Sequence, residues 1–425
     1  MSPPKNIPNS SFPDDFLWGA STAAYQVEGG LTNQWSEWER DNAKRLASNI
    51  PKELKSMPEA ERQARGLYKP ENYVNGASVE HYARYKEDFA LLEQLNFNSF
   101  RFGIAWERVE PNEGQWDEAA LLHYKHYIAE LKRRGIEPIP TLWHWTMPLW
   151  FAAKGGFENK QNIRYFERFA AKVAEEFGAE LRYVLTINEP NVYASISYML
   201  GFWPPQRKNP LVGIKVLRNL VAAHRAAYTA LTRRHPTLQV GLAYNFAEVK
   251  AHSPRNPVNR LVVHAANRLY NYWFLDRVTS KCDFIGVNWY HTQYINWLGR
   301  DRNPEEPRSD LRWYMEPTAL KDVLVKAWRR YRKPLLVTEN GLADSADKHR
   351  KWWLEQTLEA LQGAMGQGVT LLGYLHWSLL DNFEWAYGWW PKFGLVAVDR
   401  EHGMKRTVRA SATWFAKQIA VHRKR

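Results

Sequence analysis

Residues 183–190 read Tyr183-Val-Leu-Thr-Ile-Asn188-Glu189-Pro190, an apolar run that ends in an amide and a carboxylate. Residues 334–341 repeat this pattern as Pro334-Leu-Leu-Val-Thr-Glu339-Asn-Gly341. Short continuous apolar runs are typical of strands buried on both faces of a parallel sheet. The two stretches therefore predict two buried parallel strands, each with a glutamate at its carboxyl end.

Six more runs of this kind occur along the chain, and amphipathic helical patterns separate most of them. The predicted strands are residues 16–20, 99–104, 137–143, 183–188, 239–244, 283–289, 334–339 and 371–377. Clear helical patterns occupy residues 79–95, 119–135 and 163–178, and Gly135 is expected to end the second helix. Eight alternating βα units close naturally into a barrel. The predicted fold is a (β/α)₈ TIM barrel of the α/β class.

The chain has 425 residues, whereas a minimal barrel needs roughly 250. Enlarged loops are therefore expected, at residues 41–76, 202–210 and 296–317. We expect residues 1–425 to form a single catalytic barrel domain. Residues 1–11 are expected to be a flexible N-terminal segment, and residues 41–76 a loop insertion after the first strand.

Composition restricts the possible partners. Net charge is +13, but Lys and Arg are interpreted as spread along amphipathic segments, so nucleic acid is not expected, although a weak acidic partner stays open. No run approaches ~18 uninterrupted apolar residues and the N-terminus lacks a signal pattern, so no membrane partner is expected. Cys282 is the only cysteine. A cytoplasmic location is expected, and the oligomeric state stays open.

Aromatic residues are frequent, with 21 Trp, 21 Tyr and 18 Phe. Clusters at residues 143–145 and 385–390 do not alternate as a simple core strand would. Aromatic faces stack on the C–H surfaces of sugar rings, so this composition is a modest indication of a sugar-binding cleft.

Polar side chains occur at or just after the ends of most predicted strands. They are Arg101, His144, Asn188, Glu189, Asn288, Tyr290, Glu339 and His376. In a barrel these positions surround one mouth, where barrel enzymes keep their active sites. Glu189 and Glu339 belong to strands that face each other, and two facing carboxylates are what glycoside hydrolysis requires. Their separation would distinguish retention, about 5–5.5 Å, from inversion, about 6.5–9.5 Å.

Several longer motifs then resemble family 1 glycoside hydrolases of the β-glucosidase type. They are residues 16–29, Thr-Ile-Asn188-Glu189-Pro, Asp283-Phe-Ile-Gly-Val-Asn288-Trp-Tyr290, Thr338-Glu339-Asn-Gly, residues 377–386 and Phe393-Gly-Leu-Val. The resemblance runs from about Phe12 to the C-terminus, with the motifs in the family's order. It implies a retaining β-glycosidase, most of all a β-glucosidase, with β-galactosidase or β-fucosidase activity also open.

The resemblance implies roles for the central residues. Glu189 is similar to the family's general acid/base, and Glu339 to its nucleophile. Arg101, Tyr290 and Asn288 resemble the residues that support the nucleophile. An ordinary core ion pair stays open for Arg101, and a plain core aromatic for Tyr290.

The resemblance also implies a substrate-binding set, namely Gln26, His144, Asn188, Trp313, Trp377, Glu384, Trp385 and Phe393. Gln26, His144, Asn188 and Glu384 are similar to residues that bind glycone hydroxyls. Trp377 and Trp385 resemble the pocket walls, and Trp313 resembles an aglycone platform, although a plain surface Trp stays open there. The implied substrate is a small β-glycoside or short oligosaccharide, and no metal or organic cofactor is expected.

Three stretches depart from the family pattern. Thr146-Met147 follows His144-Trp145, where the family usually has Asp-Leu or similar. The loop at residues 41–76 is longer and more charged than is usual. Residues 76–80 read Gly-Ala-Ser-Val-Glu in place of the family's usual Gly-Asp-x-Ala motif. They leave the aglycone open, and the glycone open among glucose, galactose, fucose and mannose.

The alternatives are a 6-phospho-β-glycosidase and a non-catalytic carbohydrate-binding protein on the same fold. Glu384 argues against the first, because a carboxylate repels phosphate, and the presence of both glutamates argues against the second. His123 and His126 form no recognisable metal motif. Residues 363–368 are glycine-rich but precede a strand, so helix termination is the better interpretation.

Overall fold

A computed structural model describes residues 12–251, 253–296, 299–300 and 307–423. Its centre is a closed barrel of eight parallel strands. They are β1 (Leu17–Ser21), β2 (Ser99–Gly103), β3 (Glu137–Trp143), β4 (Tyr183–Asn188), β5 (Gln239–Asn245), β6 (Ile285–Asn288), β7 (Leu335–Asn340) and β8 (Leu371–Trp377). Each strand pairs with its neighbour in chain order. The predicted fold is confirmed.

The first and last strands close the barrel. Gly19 of β1 lies opposite Leu375 of β8 on one side and Ser99 of β2 on the other. A side chain at Gly19 would place its Cβ 2.1 Å from the carbonyl oxygen of Ser99. Glycine is therefore required at this position, where a side chain would clash with the backbone of β2.

Fifteen α-helices are found in the described residues. They are α1 (Ala24–Val27), α2 (Gln34–Ser48), α3 (Glu59–Ala64), α4 (His81–Gln94), α5 (Trp106–Val109), α6 (Glu118–Arg133), α7 (Leu149–Ala153), α8 (Ile163–Phe177), α9 (Pro190–Tyr193), α10 (Pro210–Arg234), α11 (Pro257–Asn267), α12 (Leu275–Val278), α13 (Leu320–Tyr331), α14 (Arg350–Met365) and α15 (Ala410–Arg423). Two π-helical segments, Ala194–Met199 and Arg268–Tyr272, follow α9 and α11.

The predicted elements agree with these bounds to within about two residues. β6, for example, begins at Ile285 rather than at residue 283. The first predicted helix starts at His81 because Glu80 has a left-handed backbone, with φ of 59°. Gly135 follows α6 with φ of 68°, as expected of a residue that ends a helix. Residues 363–368 likewise end α14 before β8.

Apolar side chains fill the barrel below its mouth. Leu17, Ile139, Leu185, Leu336 and Leu375 belong to one buried cluster of strand residues. Each buried leucine or isoleucine contributes roughly 1.5–3 kcal/mol to folding. This apolar cluster fills the interior of the barrel, so the polar residues at the carboxyl ends of the strands face only the open end.

Irregular segments enlarge that open end. Residues 41–76 contain the last part of α2 and the whole of α3. They also contain two 3₁₀ turns, Lys52–Ser56 and Pro70–Tyr73. A three-stranded sheet of Glu248–Ala251, Thr292–Asn296 and Gly299–Arg300 stands beside the barrel. The expected loop at 296–317 lies partly, and the expected flexible segment 1–11 wholly, outside the described residues. In the part of the chain that is described, no helix is long and apolar enough to cross a membrane.

Candidate active site

Glu339 lies at the end of β7 between two hydrogen-bond donors. Arg101 Nη1 is 2.5 Å from Glu339 Oε1, and the hydroxyl of Tyr290 donates to Oε2 at 2.6 Å. Burial, followed by the charge of Glu339, raises the pKa of Tyr290 well above its ordinary value, so the phenol stays a donor. Both oxygens of Glu339 are therefore held, one of them by a cation.

The Arg101 side chain is held on every side. Nε donates to Thr141 Oγ1 at 2.9 Å, and Nη2 donates to Asn188 Oδ1 at 2.7 Å. The residue is fully buried. A buried guanidinium with a carboxylate and neutral acceptors around it is satisfied as well as fixed in orientation. Arg101 is thus the rigid link between the ends of β7 and β4.

Glu189 sits at the end of β4 among neutral neighbours. Asn288 Nδ2 and Asn245 Nδ2 donate to Glu189 Oε1 at 2.9 and 3.0 Å. Burial, followed by the negative charge of Glu339, raises the pKa of Glu189 to about 8, and the two amides only partly oppose this. Near pH 7 the Glu189 carboxyl therefore holds its proton.

The backbone of Glu189 is also unusual. Its φ of 43° lies in the left-handed region, and its N–H donates to the carbonyl of Ala243 on β5 at 2.8 Å. Such a conformation costs a non-glycine residue on the order of 1–3 kcal/mol and persists only when the surroundings enforce it. The turn from β4 into α9 thus directs the carboxyl into the barrel mouth.

One expectation needs correction. Asn288 was expected beside Glu339, but its amide donates to Glu189 and to Asn188 Oδ1 instead. Its Oδ1 accepts a hydrogen bond from Thr338 Oγ1 at 2.6 Å, and this fixes the amide with its nitrogen towards β4. Asn288 therefore supports the other carboxyl.

Asn245 is a site residue that the sequence analysis missed. It ends β5, one residue beyond the predicted strand, and its Oδ1 accepts a hydrogen bond from Tyr270 at 2.9 Å. The available signal was the polar residue that follows Tyr244, the same pattern that marked the other strand ends.

The protonation of His144 follows from its contacts. Arg101 can only donate, so Asn188 presents Oδ1 to Arg101 and Nδ2 to His144 Nε2 at 2.9 Å. Burial and the charge of Arg101 lower the pKa of His144 well below its usual value. The imidazole is neutral, Nε2 accepts, and the proton is therefore on Nδ1.

Three buried polar atoms in this pocket have no hydrogen-bond partner among the described residues. They are His144 Nδ1, Gln26 Oε1 and Glu384 Oε2. Gln26 is oriented by its Nε2, which donates to Asn382 Oδ1 and to the carbonyl of Phe383. Buried polar atoms normally find partners. A ligand that carries several hydroxyl groups could satisfy all three.

Glu384 is a third acidic group in the same pocket. Burial, followed by the charges of Glu339 and Glu189, raises its pKa to about 8. The three carboxyl groups therefore influence one another across one cavity. Two amides donate to Oε1 of Glu189, and Oε2 of Glu384 has no partner among the described residues.

Aromatic rings enclose the pocket on one side. The His144 ring lies 5.8 Å from Trp385 and 6.1 Å from Trp377. Trp385 packs in turn on Tyr25, and on Trp35 of α2. α2, the helix that leads into the loop at residues 41–76, therefore supports the pocket wall from behind through Trp35, which the sequence pattern did not indicate.

The residues after His144, where the sequence departs from the family pattern, belong to the same wall. Trp145 donates through Nε1 to the carbonyl of Asn188 at 3.0 Å and packs against Trp203 and Trp385. Thr146 is buried beside Glu107, whose pKa is raised by burial.

Trp313 and Phe393 lie at the outer edge. Trp313 is partly exposed, with its ring 5.8 Å from Tyr290 and 6.1 Å from Phe393, and it stacks on His291. The structure therefore brings all thirteen predicted residues to one mouth, with these two at the entrance.

In the described residues no three His, Cys, Asp or Glu side chains are grouped so as to hold a metal ion. His123 instead stacks on Tyr82, and burial lowers its pKa to about 4.

Comparison with known proteins adds an independent finding. The model of the family described as Glycosyl hydrolase family 1 matches residues 8–287 and 277–424. Beta-glucosidase A of Acetivibrio thermocellus is 27% identical, over 96% of this chain and 98% of that protein. Beta-glucosidase A of Thermotoga maritima is also 27% identical, over 96% and 97%.

Solved structures are similar over the same extent. A beta-glycosidase from Pyrococcus horikoshii is 31% identical with a TM-score of 0.84, and the match covers 97% of this chain and 95% of that one. The Thermotoga maritima beta-glucosidase in complex with glucoimidazole is 25% identical with a TM-score of 0.85, over 97% and 99%. The similarity therefore includes every strand that carries a pocket residue.

Proposed function

Because the chain belongs to glycosyl hydrolase family 1 and is a glycoside hydrolase that acts on β-glycosides, we propose that it is a retaining β-glucosidase. One observation carries the proposal. Two buried carboxyl groups share a pocket, one held by a cation and a phenol, the other by neutral amides that leave its pKa at about 8. Two groups with such different environments are suited to be nucleophile and acid.

In the first step Glu339 attacks the anomeric carbon. The carbon–oxygen bond to the aglycone breaks, an ester to Glu339 forms, and Glu189 gives its proton to the departing oxygen. Arg101 and Tyr290 hold the attacking carboxylate in position and favour its charged form.

In the second step a water molecule replaces the aglycone. Glu189, now ionised, takes a proton from the water as the oxygen attacks the anomeric carbon. The ester breaks, Glu339 leaves as a carboxylate, and Glu189 is protonated again. Two inversions give net retention of the β configuration.

The glycone is proposed to be bound by the unpartnered polar atoms of the pocket. His144 Nδ1 donates to one hydroxyl, while Gln26 Oε1 accepts from another. Glu384 supplies the third contact. The wall of Trp377 and Trp385 receives the apolar face of the ring. Glucose is proposed as the glycone because the relatives reported above are named β-glucosidases.

Glu384 bears on the choice between a plain and a phosphorylated sugar. Burial and two neighbouring carboxyl groups raise its pKa to about 8, so near pH 7 it is mostly neutral. A mostly neutral Glu384 would repel a phosphate group less strongly than the ionised carboxylate that the sequence analysis assumed. The proposal of a neutral sugar therefore rests on the ability of the Glu384 carboxyl group to bind a hydroxyl. The test must also include a phosphorylated substrate.

Hydrolysis of a nitrophenyl glycoside panel tests the proposal. The panel contains β-glucoside, β-galactoside, β-fucoside, β-mannoside and 6-phospho-β-glucoside, and Glu339→Ala is assayed with and without azide. We expect β-glucoside turnover that is lost in Glu339→Ala and returns with azide as the α-glucosyl azide. Glu359→Ala, which alters an exposed glutamate of α14, is the matched control.

Each other outcome has a definite meaning. Turnover of the phosphorylated substrate alone would replace the glucosidase by a 6-phospho-β-glycosidase. Azide product of β configuration would remove Glu339 as nucleophile. No turnover of any glycoside by the wild type would leave a binding protein and end the proposal.

A further inference from the structure

Most of the net positive charge of the chain falls in one segment, part of which is the helix α10. Residues 190–275 contain eleven lysines and arginines but a single acidic residue, Glu248. This segment carries +10 of the net +13 of the chain. It spans the βα units of β4 and β5. The loops that follow these two strands lie on the same face as the barrel mouth, whereas α10 runs from that face to the opposite end of the barrel.

The same segment exposes large apolar side chains next to the mouth. Leu200, Phe202, Leu211 and Ile214, here called the loop patch, are all exposed, and Leu211 retains 77% of its surface. The loop folds back on the start of α10, where Asn209 N–H donates to the carbonyl of Tyr198. Next in sequence to Phe202, Trp203 packs on Trp145 of the pocket wall. The loop patch therefore continues the rim of the pocket outwards.

α11 exposes a second apolar strip. Val258, Leu261 and Leu269, here called the helix stripe, lie on one side of α11 and the π-helical segment that follows it, and Leu261 and Leu269 are 69% and 65% exposed. A surface helix normally turns its apolar side towards the core. Here the apolar side faces away from the barrel.

Asparagines attach α11 to the protein in place of apolar contacts. Asn267 Nδ2 donates to the carbonyl of Val249, and Asn271 exchanges two hydrogen bonds with the backbone of Ala247. Asn259, on the same side, is buried. The helix is thus anchored by its polar side, which leaves the leucines free for another surface.

Basic residues frame both apolar strips. Lys208 and Lys215 flank the loop patch, and Arg260 and Arg268 lie in or just after α11. None of these four forms an ion pair with a described residue, and all are exposed. A second copy of this chain would bring two such positive surfaces together, and like charges oppose that contact. Nucleic acid would not satisfy the leucines.

We propose that the loop patch and the helix stripe together dock on an anionic lipid surface. Apolar side chains enter the interface between headgroups and acyl chains, while Lys and Arg contact the anionic headgroups. The contact is peripheral, and it revises the expectation of no membrane partner. Docking would hold the barrel mouth at the lipid surface, and it does not depend on which sugar the pocket accepts.

Flotation of the full chain with lipid vesicles tests this. One set of vesicles is pure phosphatidylcholine, and the other contains 30% phosphatidylglycerol. We expect at least tenfold stronger partition onto the anionic set, and loss of most of that binding in 0.5 M NaCl, where charges are screened beyond a few ångströms.

Two double variants separate the contributions. Leu261→Ser with Leu269→Ser, and Arg260→Glu with Arg268→Glu, should each lower partition at least tenfold with an unchanged unfolding midpoint. Val421→Ser and Lys417→Glu, at exposed positions of α15, are the matched controls and should leave partition unchanged.

Several outcomes would overturn the proposal. Equal partition onto neutral and anionic vesicles, or no partition onto either, would remove the lipid surface. Dimers in light scattering that the leucine variant dissociates would identify a second copy as the occupant. Tight binding of duplex DNA that survives the leucine variant would make the surface a nucleic-acid site.

Discussion

The surroundings of Glu339 and of Glu189 differ although the two residues have much in common. Each lies at the carboxyl end of a barrel strand, and each retains only 4% of its surface. Glu339 receives a guanidinium on one oxygen and a phenol on the other, whereas two amides share one oxygen of Glu189. The two residues are therefore equally buried, and what distinguishes their surroundings is the charge of the donors.

The strongest way to break this comparison is to neutralise each glutamate in turn. Glu339→Gln should lower kcat/KM by on the order of 10⁴-fold or more with every substrate, because the bond-forming group is lost. Glu189→Gln should lower it by roughly 10²- to 10⁴-fold with an alkyl glucoside. With dinitrophenyl glucoside, whose leaving group needs no proton, the Glu189→Gln loss should be small.

The quantity to measure is kcat/KM, because it reports the first chemical step. Equal losses for Glu189→Gln on both substrates would show that Glu189 is not the acid. A leaving-group dependence in Glu339→Gln instead would exchange the two assignments.

Removal of the cation should have the next largest effect. Arg101→Gln leaves Glu339 buried with the Tyr290 hydroxyl as its main donor, and the loss of one partner of a buried pair costs roughly 3–5 kcal/mol. We expect kcat/KM to fall by about 10²- to 10³-fold. Arg409→Gln, which breaks the two-bond pair with Asp381, is the matched control.

The control should lower the unfolding midpoint and leave kcat/KM unchanged. If Arg101→Gln behaves in the same way, the guanidinium is an ordinary core ion pair and the comparison fails.

Removal of the phenol should have a smaller effect. Tyr290→Phe deletes one hydrogen bond to a charged oxygen, which contributes roughly 1.5–3 kcal/mol. A loss of roughly 10- to 100-fold in kcat is expected from that energy. Tyr73→Phe, which deletes a buried hydroxyl that donates to the Leu67 carbonyl, is the matched control. A larger loss for Tyr73→Phe than for Tyr290→Phe would contradict the assignment.

The smallest effect concerns the amides at Glu189. With its pKa raised to about 8, activity should fall as the pH rises through that region, because the acid loses its proton. The Asn245 amide favours the ionised form, so Asn245→Ala should raise the pKa and move the alkaline limit upwards, by about half to one pH unit. Asn245→Asp, which adds a negative charge, should move it further.

The pH profile of kcat/KM reports this shift. If the alkaline limit of this profile moves to lower pH in Asn245→Ala, or does not change in either variant, Glu189 does not set that limit.

Strand positions could be predicted from sequence because a buried parallel strand has a local signature. The bounds of β3, β4 and β8 agree with the prediction residue for residue. The two glutamates could be found for the same reason, since a strand end fixes which mouth a residue faces. What a strand end does not fix is which neighbour the side chain contacts.

Asn288 illustrates this limit. Its backbone lies opposite Glu339 in the register of β6 and β7, yet its amide turns to Glu189 because Thr338 occupies its oxygen. Trp35 illustrates another limit, since its contact with Trp385 joins residues from opposite ends of the sequence. Leu261 of α11 and Leu269 of the following π-helical segment look like core residues in the sequence. The helical period of a sequence shows that one side of a helix is apolar, but it does not show which way that side faces.

The pairing of β1 with β8 has a consequence for how the protein is made. Gln26 donates to the carbonyl of Phe383, so the pocket joins residues from near both ends of the chain. At roughly 5–20 residues per second, a ribosome needs on the order of 20–70 s to advance from one to the other. Throughout that interval the nascent first strand has no partner on one edge. Cellular chaperones would meet this polypeptide as an open sheet, and a premature stop codon before β8 would yield no pocket at all.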